Sequence, residues 1–304
     1  MPASLDQVRP AVASASGSVD VELSFQCAAL VVARWRCRVR EAGESVVISH
    51  RWHTMKFVHT GAFQAHLGDG PVLLDSTRVL LAAPDEPYVV TKQFGPMVTG
   101  SAILVNPTLM PRIAGEHGAG RTTRLLRADV TPRALLTQHL ILRQIEEGAP
   151  ARAIEEVGLT LAAEAFRTSG PTQHPQRKRA TAGRDAVAMA QAILAANYEK
   201  PVRLDDIARA VEISPYHLCR AFKQVTGMHM HRYLNRLRLR AALEHVAEPR
   251  LALAEIALDH GFSSQSHFAA AFRREFLITP SEVRRLAGRK VSEMRRVLGL
   301  GAIS

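Results

Sequence analysis

Sliding the C-terminal half of the 304-residue chain against itself exposes a repeat of about 50 residues, and a fixed period of that size marks a supersecondary unit used more than once. Ile207-Ala208 returns as Ile256-Ala257, Ser214 as Ser263, Leu218 as Phe268, Phe222 as Phe272 and Lys223 as Arg273. The offset is 49 for the first three matches and 50 for the rest, which places one extra residue of the second copy between Ser263 and Phe268.

Each copy has the layout of a helix-turn-helix, in which a short helix supports a second one that enters the major groove. In the first unit, about 204–226, Leu204–Val211 is the support, Glu212-Ile213 turns the chain, and Ser214 caps the next helix with Pro215 at its first position. In the second, about 253–276, Leu253–His260 is the support, Gly261 allows a left-handed residue, Phe262 plugs the core, and Ser263 is the expected cap. Leu218 with Phe222, and Phe268 with Phe272, lie four apart and face inward, leaving the residues between them outside. His231–Val246 forms a longer helix between the units, with Tyr233, Leu234, Leu237 and Ala241 facing both, and it stops before Pro249. A rigid spacer of this kind suits two recognition helices on major-groove faces about 34 Å apart. Arg232, Arg236 and Arg240 recur every four residues on it and read either as a phosphate-facing stripe or as a solvated face.

Charge follows the same division. Met1–Pro175 holds 17 Lys+Arg against 16 Asp+Glu, whereas Gln176–Ser304 holds 22 against 12. A basic segment beside a neutral one fits polyanion binding, since each cation set on a phosphate releases condensed counterions; a solubilising charged face is the plain alternative. At 47% hydrophobic and 22% charged residues the chain is a globular one. Cys27, Cys37 and Cys219 are too few, and odd in number, for a disulfide framework, so a reducing cytoplasm is expected, with no leader and no membrane span.

Upstream, residues 46–105 alternate as short strands do: Thr54–Thr60 and Ala62–Leu67 around Gly61, Pro71–Leu74 after the Gly68-Asp69-Gly70 turn, Arg78–Ala82, Tyr88–Thr91 and Ser101–Val105. Such a series reads as a small sandwich or barrel. Thr131 then caps a helix that begins at Pro132 and carries Leu135, Leu136, His139, Leu140, Leu142 and Ile145 before Gly148. Residues 151–166 make a second helix with Ile154, Val157, Leu161, Ala162 and Phe166 on one face. Residues 168–180, with two prolines and no apolar period, read as a linker. The expected organisation is an α+β chain: 1–167 a β-barrel domain with two following helices, 168–180 a linker, and 181–304 an all-α domain with two helix-turn-helix units.

The C-terminal part resembles the DNA-binding domain of AraC/XylS-type transcription regulators. The matching runs are Leu204–Ala208, Ser214–Lys223, Thr226-Gly227, Tyr233, Arg238-Leu239, Ala254–Ala257, Gly261–Phe268, Phe272–Arg274 and Thr279-Pro280, so the resemblance covers about 185–287. It departs at Leu277, where the family usually has Gly, which points to a locally rebuilt turn. Carried onto this chain, it places Tyr216, Cys219 and Arg220 of the first recognition helix against base edges, and Ser264, Gln265, Ser266, His267 and Ala270 of the second. Arg220 suits guanine O6/N7 and Gln265 adenine N6/N7. Lys223, Arg273 and Arg274 are cast as phosphate contacts that set position. Ala270, where some relatives have a long polar residue, offers only a methyl.

The resemblance implies that the N-terminal half is a cupin-like barrel that binds a small-molecule effector, followed by helices that form a homodimer through 131–167. Pro84-Asp85-Glu86-Pro87-Tyr88 resembles a turn where many members have Pro-His, with Tyr88 in place of the histidine. Double-stranded DNA and RNA polymerase are the implied partners, activation the implied effect, and no cofactor is expected. His50, His53, His59 and His66 raise the idea of a metal, but ordinary histidines are the favoured reading and no metal site is assigned; His59 and His66, seven apart, would face opposite sides of a continuous strand. Cys27 and Cys37 read as inert thiols rather than a redox pair. Among other classes, a metal-dependent cupin enzyme lacks any nucleophile, acid–base or ligand motif. A fused DNA-alkylation repair protein would need four cysteines in the N-terminal half, and two are there. A constitutive DNA-binding protein leaves the upstream domain without an effector.

Overall fold

A computed structural model describes residues 11–14, 18–38, 45–67, 70–110, 113, 126–168 and 181–300. Among these, nine strands run β1 (Ala11–Ser14), β2 (Ser18–Gln26), β3 (Leu30–Arg38), β4 (Val46–Ser49), β5 (His53–Leu67), β6 (Gly70–Leu74), β7 (Arg78–Ala82), β8 (Tyr88–Val105) and β9 (Leu126–Asp129). All pairings are antiparallel, and β5 and β8 form the spine, paired from His53↔Val105 to His66↔Val89. On its other edge β8 takes β3 along one half and β4 along the other, while β5 takes β7 and then β6.

Alternation assigns the two faces. Val31, Trp35, Cys37, Ile48, Val58, Phe63, Leu74, Leu80, Tyr88, Val98 and Leu104 fall in one buried cluster to which no helix contributes. A sheet face with no helix to cover it excludes water only by curling around itself, so this cluster is the barrel interior. The opposite face, with Met55, Phe57, Val79, Leu81, Ile103 and Val105, packs under the helices that follow.

The expected pieces Thr54–Thr60 and Ala62–Leu67 are one strand. Gly61, at φ 74°, sits in a stretch where the register slips, so it bends β5 rather than ending it. Tyr88–Thr91 and Ser101–Val105 likewise join in the 18-residue β8. β2 and β3 were not among the expected strands.

Two helices follow. α1 (Pro132–Glu146) starts as expected, with the Thr131 side chain accepting from the Ala134 amide and Pro132 in the first turn. α2 (Ala151–Thr168) buries Ile154, Val157, Leu161, Ala162 and Phe166. The expected linker lies outside the described residues except Thr168, which ends α2. The rest is helical: α3 (Thr181–Ala196), α4 (Leu204–Ala210), α5 (Pro215–Thr226), α6 (Met230–Val246), α7 (Leu253–Asp259), α8 (Gln265–Phe276), α9 (Pro280–Ala287) and α10 (Val291–Leu298).

These helices share cores with the barrel side. Ala62 and Leu73 of the sheet join Val187, Leu194, Ile207, Leu218, Phe222, Tyr233 and Leu237 in one cluster. Leu135, Leu140 and Val157 of α1 and α2 join Phe268, Phe272, Leu286 and Met294 in another.

Candidate nucleic-acid interface

Local chemistry builds the two units alike. In the first, Glu212 takes the left-handed conformation at φ 57° after α4. Ser214 then caps α5, accepting from the His217 amide at 3.3 Å, with Pro215 in the first turn. Leu218 and Phe222 are fully buried, and the Phe222 ring meets Tyr233 edge-on at 5.4 Å. In the second, Gly261 at φ 73° takes the place of Glu212, and Phe262, Phe268, Ala271 and Phe272 are buried.

Gly261 has two reasons to be glycine. Its φ is one that L side chains rarely adopt, and a Cβ there would come within 2.7 Å of the Arg238 guanidinium carbon. That guanidinium donates to the Tyr198 carbonyl at 2.7 Å, the Gly261 carbonyl at 2.9 Å and the Lys200 carbonyl at 3.1 Å. Arg238 thus ties the turn after α3 to the turn of the second unit.

The cap of α8 is Ser264, which accepts from the His267 amide at 3.1 Å, and not Ser263 as the repeat suggested. Counted by caps, the offset is already 50 at Ser214/Ser264, so the extra residue of the second copy lies in the turn ahead of the helix. The Ser263 hydroxyl instead lies 3.3 Å from the His267 ring.

The expected contact residues fall on the outer faces. Tyr216, Cys219, Arg220 and Lys223 on α5 are exposed, as are Ser264, Gln265, Ser266, His267, Ala270, Arg273 and Arg274 at α8. His217 and Gln224 share the exposure of α5 and had not been singled out. Among the described residues, no carboxylate pairs with Arg220, Lys223, Arg273 or Arg274, so their charge faces outward. Lys223, Arg273 and Arg274 also sit in last helical turns, where cations are favoured by the helix dipole.

Neither the phosphate-facing stripe nor the solvated face weighed for Arg232, Arg236 and Arg240 on α6 holds at Arg240. Arg240 is 2% exposed, and donates to the Ser76 carbonyl, to the Val130 carbonyl at 3.2 Å and to Glu275 at 3.2 Å. Arg236 pairs with the same carboxylate at 3.0 Å. Arg240 therefore faces the protein, three residues after Leu237 and seven after Tyr233, on the inner side of α6. Next to it the Tyr233 hydroxyl donates to Asp75, whose other oxygen accepts from the Thr77 amide and hydroxyl. Burial and that carboxylate hold the Tyr233 phenol well above its ordinary pKa.

In the sheet, His50, His53 and His59 are buried and His66 is exposed. His59 lies 3.1 Å from the Ser101 hydroxyl and 3.2 Å from Gln138. No group of three or more His, Cys, Asp or Glu among the described residues is placed to hold a metal. Cys27 and Cys37 have thiols pushed up chiefly by burial, and Cys219 is exposed.

Residues 207–286 match the family model of a helix-turn-helix domain. Over 153 residues the chain is 33% identical to the HTH-type transcriptional regulator ArgR of Pseudomonas aeruginosa, covering 50% of this chain and 46% of that protein. Over 88 residues it is 38% identical to the HTH-type transcriptional activator RhaS of Escherichia coli, covering 29% of this chain and 32% of that one. A solved transcriptional regulator from Chromobacterium violaceum, described by its AraC-type DNA-binding domain, is 35% identical, covering 35% of this chain and 95% of its own at a TM-score of 0.33. The chain spans less than half the length of these curated relatives. No helix among the described residues is long and apolar enough to cross a membrane.

Proposed function

We propose, for a chain whose C-terminal part belongs to the AraC-type family of helix-turn-helix transcription regulators, that it is a sequence-specific activator gated by a small molecule bound in its barrel. The carrying observation is the pair of capped helices, each with a buried apolar side and an outer side of polar residues and of cations that no carboxylate among the described residues pairs. In this reading 1–167 senses, 168–180 links and 181–304 reads DNA in the cytoplasm, with RNA polymerase as the partner that activation requires. Tyr216, Cys219, Arg220, Ser264, Gln265, Ser266, His267 and Ala270 face base edges, and Lys223, Arg273 and Arg274 face phosphates. Ser264 holds its helix cap at the same time. A homodimer through 131–167 would use outer residues of α1 and α2, since their apolar stripes are covered within the chain.

The test is selection of genomic DNA fragments by the purified full-length protein, with and without candidate effectors, over a range of salt. The reading expects a motif of two short blocks about one helical turn apart. Arg220→Ala and Gln265→Ala are expected to cost about 1–3 kcal/mol on the preferred site and to relax it at one position each. Lys223→Ala weakens all sequences alike and lowers the salt slope by about one. An unchanged preference in Arg220→Ala would mean that another face of α5 meets the bases.

A further inference from the structure

Buried polar atoms in folded proteins are nearly always paired, and those that are not call for a cause. Several such atoms meet inside the barrel. Lys56 lies between Met55 and Phe57, which pack under the helices, so alternation turns its side chain inward. Its Nζ stands 4.3 Å from the centre of the Trp35 ring, 5.8 Å from that of Tyr88 and 6.0 Å from that of Phe63. The Tyr88 hydroxyl, at 3.2 Å, is its hydrogen-bond partner, and no Asp or Glu among the described residues forms an ion pair with it. Trp35 Nε1 and both ring nitrogens of His50 are buried without a partner, and the His50 ring is 6.2 Å from Tyr88. Burial, and then the charge of Lys56, hold His50 down to about 3, so its ring is neutral and keeps one N–H to donate.

We propose that this interior is the receptor for a small apolar monocarboxylic acid, with Lys56 meeting the carboxylate, Trp35 and His50 donating to it, and the Trp35, Phe63 and Tyr88 rings flanking the apolar body. The inference rests on the effector-gated reading above and names the chemistry of its ligand. One cation in a dry interior is matched by one negative charge; a dianion such as a phosphate monoester would leave a net buried charge of its own. The donors are directional and the walls are not, which fixes the acid group and tolerates variation in the body. A buried ammonium held by one hydroxyl and by ring faces, with no carboxylate beside it, lowers the stability of the ligand-free protein, a cost expected at a binding site rather than in a structural core.

The experiment follows the melting temperature of the full-length protein against acetate, hexanoate, decanoate and phenylacetate, each beside its primary amide. At about a hundred times its Kd, an acid that binds is expected to raise the melting temperature by about 5 °C, and its amide by far less. Lys56→Met should melt above the wild type without ligand and lose the acid-dependent shift, whereas Trp35→Phe should keep the fold and bind about tenfold more weakly. Equal shifts from acids and amides, a full shift retained in Lys56→Met, or no shift from any of the acids would each overturn the proposal; the last outcome would leave ordered water as the partner of these groups. Because the readout is melting and not DNA binding, an empty fragment selection and a missing acid response are separate failures.

Discussion

Burial sets the proton equilibrium of Lys56, bringing its ammonium down from 10.5 to about 8. The unfolded chain keeps that proton until near 10.5, so between about 8 and 10.5 it holds more protons than the folded one, and stability rises with pH there. Below about 8 both states are charged and the folded state carries the whole penalty, roughly 3 kcal/mol for a group this buried. The Lys56→Met urea midpoint should therefore lie above that of the wild type at pH 7.5 and the gap should close between pH 7.5 and 10, while the Cys27 and Cys37 thiols, pushed up by burial, pull both midpoints down alike as pH passes about 9. Parallel curves for the two proteins would show that Lys56 reaches water. At the acid end the sign is also set by burial: His50, His53 and His260 are held to about 3, 4 and 4. As pH falls below 6.5 the unfolded chain takes up protons that these rings refuse, and stability is lost.

Among the elements, the two recognition helices differ at their ends. α5 closes on Gly227 at φ 74°, whereas α8 closes on Leu277 at φ 61°, so the departure seen in the sequence keeps the left-handed turn and replaces its usual residue. Leu277 is 88% exposed, and nothing packs its side chain in return for the strain. Leu277→Gly should stabilise the protein by about 1 kcal/mol, read as a rise of about 2 °C in melting temperature. Its DNA preference should not change, because the outward residues of α8 end at Arg274. The helices were legible because their signals are local: caps, a 3.6 period and a turn residue all lie within a few positions of one another. The repeat pointed to Ser263 rather than Ser264 because either serine satisfies the cap pattern, and only in the fold does the Ser264 hydroxyl accept from the His267 amide. Strands were less legible. β8 contains Gly95-Pro96, a strong local break signal, and it is one strand because β5 and β4 pair before that step and β5 and β3 after it. β2 carries a plain alternation of Val19, Val21, Leu23 and Phe25, a signal that could have placed it.

For the whole molecule, Arg240 separates two pictures of how the halves are joined. Read along α6 alone, it belongs to a basic stripe toward DNA or to a solvated face, and the sequence offers no third reading, because its partners lie 164 residues away at Ser76 and 110 away at Val130. In the structure it is a bridge: two carbonyls on the barrel side and Glu275 of the second recognition helix converge on one guanidinium, beside the Tyr233–Asp75 bond. The bridge holds α6 to the β6–β7 turn through the Ser76 carbonyl and, through Glu275, holds α8 to α6. Arg240→Met separates the two pictures. A buried bridge lost to methionine leaves two carbonyls without their donor, while Glu275 keeps Arg236, so the expected cost is about 3 kcal/mol in denaturant-measured stability. The salt slope of DNA binding should stay where it was, because no phosphate contact has been removed. A slope lower by about one with stability intact would mean that Arg240 meets phosphate and that the halves are coupled elsewhere.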